Sequence, residues 1–76
     1  MTPLATHSPP IWPQEDGTPV SCMEKLKVLK ENHAELVQTL QDAFEDAILM
    51  GVNEQAMRQI LGDVVAGLVS PRRPAA

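Results

Sequence analysis

From Cys22 to Met50 the chain contains neither glycine nor proline, the two residues that most readily interrupt a helix. Within that stretch one line of positions alternates spacings of four and three: Cys22, Leu26, Leu29, His33, Leu36, Leu40, Ala43, Ala47 and Met50. Such spacing marks one stripe of an α-helix, because residues three and four apart lie on the same face. Met23, Val37 and Phe44 widen the stripe on one side, and the acids Glu31, Glu35, Asp42, Glu45 and Asp46 fall away from it. The pattern predicts a helix over about 22–50, which is long for a chain of 76 residues.

Both ends of this helix carry start and stop signals. Ser21 and Glu24 stand in the S-x-x-E arrangement of a capping box, in which the hydroxyl accepts from the Glu24 amide and the carboxylate from the Ser21 amide. Gly51 stops the helix, since glycine enters the left-handed conformation beyond a C-terminus at little cost. Asn53 is a good N-cap for a second helix, expected over about 54–69 and ending before Ser70-Pro71. Its apolar stripe is Met57, Ile60, Leu61, Val64, Val65 and Leu68. A connection as short as Gly51-Val52-Asn53 makes the helices antiparallel neighbours. The fold class expected is therefore all-α, an antiparallel helical hairpin.

The rest of the chain reads as tails. Residues 1–20 hold Pro3, Pro9, Pro10, Pro13 and Pro19, and each proline removes a donor and restricts its predecessor. This segment is expected to be a disordered or extended tail with a turn at Asp16-Gly17. Residues 21–70 form the hairpin domain, and 71–76, Pro-Arg-Arg-Pro-Ala-Ala, a second tail. Trp12, within Ile11-Trp12-Pro13, is the one tryptophan. Disordered segments are poor in aromatics, so Ile11 and Trp12 read as a cover for the helical seam or as a short motif for a partner, with an incidental tryptophan as the third reading.

The two helices do not match in length. Helix 2 can cover only about half of helix 1 at 1.5 Å per residue. Leu26, Leu29, His33 and Leu36 are left uncovered by it, and Leu40 continues their line. Two outcomes bury them: a second hairpin completes a dimeric four-helix bundle, or helix 1 breaks at Asn32-His33 into a three-helix bundle. The unbroken helix is favoured, because an interior asparagine costs only a few tenths of a kcal/mol. Ala47-Ile48-Leu49-Met50 is apolar all round, so Ile48 and Leu49 also require a cover that helix 2 alone does not give.

Composition narrows the chemistry. The formal net charge is −4, and the basic pair Arg72-Arg73 sits in the C-terminal tail, so phosphate-rich partners are disfavoured. A single cysteine excludes an internal disulfide and any Cys-x-x-Cys metal or redox pair, and fits a reducing cytoplasm. His33 lacks the Glu-x-x-His or His-x-x-x-His spacing of a metal site. No phosphate loop, nucleophile elbow, zinc-protease or calcium-loop motif is present, so neither a cofactor nor a catalytic residue is expected. No apolar run reaches the roughly 20 residues of a membrane span. The expectation is a cytoplasmic adaptor, accessory subunit or regulator, a non-enzymatic protein–protein interaction module that pairs with itself and with another protein. The competing class is a nucleic-acid-binding transcriptional regulator using helix 2 with Arg58, Arg72 and Arg73.

Overall fold

The computed structural model describes residues 10–72, and among these the regular elements are two helices and an isolated two-residue bridge. Helix α1 spans Met23–Leu49 and helix α2 spans Glu54–Ala66, a helical hairpin. The chain divides into two compact units, Met1–Thr39 and Leu40–Ala76, with α1 running from one into the other. Helix 1 does not break at Asn32.

The first described residues of unit 1 hold the turn expected at Asp16-Gly17, set in a longer ordered segment than composition suggests. Residues 10–20, read as a disordered or extended tail, form a tight hairpin turn (the part of that tail before Pro10 lies outside the described residues). The Gly17 amide donates to the Gln14 carbonyl at 2.9 Å, closing a four-residue turn, and Gln14 N donates to Thr18 O at 2.7 Å. Gly17 takes φ +90°, the left-handed residue that a three-residue hairpin loop requires. Val20 N then donates to Trp12 O at 2.8 Å, and Pro13 bridges Pro19 antiparallel. These bonds flank the proline pair on both sides. Pro13 and Pro19 thus occupy the non-hydrogen-bonded position of the ladder, where no N–H is needed. Proline therefore permits order here.

Helix α1 starts one residue later than a cap at Ser21 would place it. Val20 is held extended by its bond to Trp12, and the first helical bond runs from Leu26 N to Cys22 O at 2.9 Å. Cys22, not Ser21, is the N-cap. Glu24 is then the second helical residue and not the third, out of register for the expected Ser21–Glu24 capping box.

Unit 2 holds the end of α1, the connection and α2. Gly51 adopts φ +98°. Its amide donates to Ile48 O at 3.0 Å, and Val52 N donates to Ala47 O at 2.9 Å. Together they form a Schellman motif, which satisfies carbonyls that a bare helix end leaves open. Asn53 stays extended (φ −61°, ψ 135°) while its side chain accepts from Ala56 N at 2.8 Å. Helix 2 stops at Ala66, three residues short of the expected Val69. Gly67 costs about 1 kcal/mol inside a helix, and Pro71 keeps Ser70 from being helical, so too few residues follow to recover that cost. The last turn relaxes instead, with Gly67 N on Asp63 O at 3.0 Å and Leu68 N on Val65 O at 3.2 Å.

Candidate functional site: open apolar faces

No apolar residue among those described is fully buried. Leu26, Leu29, His33, Val37, Leu40, Phe44, Ala47 and Ile48 are half-buried, so one stripe of α1 is partly covered along its length. That stripe is rotated toward Val37 and Phe44 relative to the expected seam. Leu36 is 55 % exposed, and Cys22, Ala43 and Met50 are exposed too. Trp12 reaches α1 at His33 and Arg58 reaches it at Phe44.

In unit 1 the cover is Trp12. Its ring meets that of His33 edge to face, with centroids 5.9 Å apart and planes at 80°. Such a pair adds about 0.5–1.5 kcal/mol beyond its burial. The Trp12 Nε1–H, however, is buried with no hydrogen-bond partner in the protein. An unsatisfied buried donor costs about 1–3 kcal/mol, so the ring geometry and the orphan donor roughly offset each other. Ile11 beside Trp12 is 78 % exposed. The turn that carries Trp12 is tied by Asp16, whose carboxylate accepts from Thr18 N at 3.0 Å and from Thr18 Oγ1 at 2.7 Å. These two bonds hold the Asp16 carboxyl below its ordinary pKa. An open groove of about 430 Å³ is lined by Glu24, Lys25, Val28 and Leu29 of α1.

In unit 2 the Arg58 guanidinium lies 4.8 Å from the centroid of the Phe44 ring and pairs with Glu54 at 3.2 Å. Of the α2 stripe, Met57 and Leu61 are half-buried, while Ile60, Val64, Val65 and Leu68 are exposed. Leu49 is 86 % exposed, whereas its neighbour Ile48 is half-buried. A second groove of about 320 Å³ is lined by Gln41, Phe44, Glu45, Ile48, Leu49 and Glu54. Glu45 accepts from Gln41 Nε2 at 2.8 Å, a neutral donor that leaves the carboxylate charge in place.

Two features here escape a sequence reading. The Phe44–Arg58 stack joins residues far apart in the chain, and only the Glu54–Arg58 spacing of four hinted where Arg58 would lie. The Cys22 cap was hidden by the stronger cap residue beside it. The thiol of Cys22 is exposed, and the backbone amides of Lys25 and Glu24 hold it below its ordinary pKa. Arg58, offered as a phosphate contact, is engaged by Glu54 and Phe44, and Arg73 lies outside the described residues. Among the described residues no group of three or more His, Cys, Asp or Glu stands together as a metal site, and no helix is long and apolar enough to cross a membrane.

Comparison with protein-family models, with curated proteins and with solved structures returns no match to this chain.

Proposed function

We propose that this protein is a small interaction module whose open apolar faces are completed by another polypeptide, in the first instance a second copy of itself. The observation that carries the reading is the lack of any fully buried apolar residue among those described, beside the exposure of Leu36, Leu49, Ile60, Val64 and Val65. A lone core in so short a chain supplies at most about 3–5 kcal/mol, and here even that core is incomplete. A second hairpin brings two more apolar stripes and yields a four-helix bundle. The bundle leaves the Trp12 turn and the acidic outer surface for a further protein partner, as an adaptor or accessory subunit would use them. The module acts by binding, without catalysis or a cofactor of its own, and its single free thiol suits a reducing cytoplasm.

Thermal unfolding tests this reading. A fold that is completed by association melts at a temperature that rises with protein concentration. A melting temperature constant from low micromolar to near-millimolar chain would remove self-association from the proposal.

A further inference from the structure

The groove of unit 2 has an apolar floor, Phe44, Ile48 and Leu49, beside an acidic edge at Glu45 and Glu54. All three lysines of the chain, Lys25, Lys27 and Lys30, lie in the first turns of α1, and Met23 beside them is 80 % exposed. We infer that this groove receives the Met23, Lys27 and Lys30 edge of α1 from a second copy, with the two α1 helices antiparallel. The inference rests on the self-association proposed above and names one surface and direction for it, which takes in Leu49 and does not include Leu36, Ile60, Val64 or Val65.

Charge and spacing carry the argument. In the antiparallel register Met23 of one copy meets Ile48 and Leu49 of the other. The Lys27 stem lies on Phe44 while its ammonium reaches Glu45. Lys30 comes opposite Gln41, beside the same carboxylate. Glu45 is the acid best placed for this, because its intramolecular partner is the neutral Gln41 amide, whereas Glu54 already pairs with Arg58. Along α1 the positions Met23, Lys27, Lys30, Ala34, Val37, Gln41, Phe44 and Ile48 step by four and three, the spacing of a helix-pairing seam. A two-fold axis near the middle of the series repeats each contact, so the interface closes as a dimer and does not propagate. Ala34 falls beside that axis, where its small side chain lets the helices approach. A parallel pairing would set lysines against lysines and Glu45 against Glu45, which like-charge repulsion disfavours.

Two measurements on the full chain test the arrangement. Carbodiimide joins lysine to carboxylate only when they touch. Lys27 and Glu45 of one chain lie eighteen residues apart on α1, about 27 Å. A Lys27–Glu45 cross-link between ¹⁵N-labelled and unlabelled copies is therefore expected in the dimer fraction. Charge reversal is the second measurement. Lys27→Glu with Lys30→Glu, and separately Gln41→Lys with Glu45→Lys, are each expected to weaken self-association at least tenfold. An equimolar mixture of the two variants should restore it. Dimerisation of both variants at wild-type affinity, or a mixture no tighter than its parts, would overturn the antiparallel docking while leaving self-association standing. Cross-links confined to Lys27–Glu31 neighbours in a wild-type dimer would overturn it as well. A wild-type chain that stays monomeric would remove both this docking and the self-association beneath it.

Discussion

At the scale of single residues, order in this chain depends on backbone conformations that few side chains tolerate. Gly51 and Gly17 both sit at positive φ, and a Cβ added at either would meet nothing within 4 Å. Replacement by alanine thus strains the backbone without a clash. Gly51→Ala is expected to destabilise the hairpin by about 1–2 kcal/mol, read as a shift of the urea midpoint; an unchanged midpoint would show that the Schellman turn contributes nothing. Asp16 gives a pH-dependent readout. Its carboxyl is held below the ordinary value by Thr18, so its contribution to the turn is present above the unfolded-state pKa and is lost as pH falls through the folded one. Trp12 emission should shift to the red on acidification below about pH 4. Asp16→Asn, which keeps an acceptor but no charge, should flatten that response. Cys22 makes the opposite kind of statement, about reactivity. With the Lys25 and Glu24 amides stabilising its thiolate, alkylation should reach half its maximal rate at lower pH in the folded chain than in the same chain in urea. Coincident pH profiles would dismiss the cap. The Asp16-Gly17 turn and the Gly51 stop could be read from residue type alone. The Cys22 cap could not, since serine is the better capping residue, yet the first helical bond runs to the Cys22 carbonyl.

At the scale of elements, the long helix is the most legible part of the molecule. The uninterrupted run from Cys22 to Met50 becomes α1 over Met23–Leu49, differing by one residue at each end. The end of α2 was less legible. Val64, Val65, Leu68 and Val69 continue the apolar pattern past Gly67, and pattern alone does not weigh a glycine against the short run behind it. The Asn53 cap is expected to matter in proportion to α2's shortness: Asn53→Ala should lower stability by about 1 kcal/mol, with loss of helical circular dichroism. No change in either would mean that α2 is held by packing alone. The proline-rich segment was the least legible element. Composition argues for disorder, but it does not register that two prolines six apart occupy the one ladder position that needs no donor. The long-range consequence, Trp12 against His33, followed from that turn and not from any local signal.

At the scale of the whole molecule, what stands out is an architecture with helices, caps and turns in place and no fully buried apolar residue among those described. Local signals made the elements predictable. The rotation of the covered stripe toward Val37 and Phe44 was not, because it depends on contacts such as Trp12 on His33 and Arg58 on Phe44, which no local pattern encodes. The expected mismatch in helix lengths is larger in the structure, since α2 has 13 residues against 27 in α1. The shorter helix leaves more of the longer one for a partner. Sedimentation equilibrium from about 5 to 500 μM tests this most directly, over the range in which a modest protein interface forms and separates. The account predicts a mass that climbs from one chain toward two as concentration rises. A single-chain mass of 8.3 kDa throughout that range would contradict it.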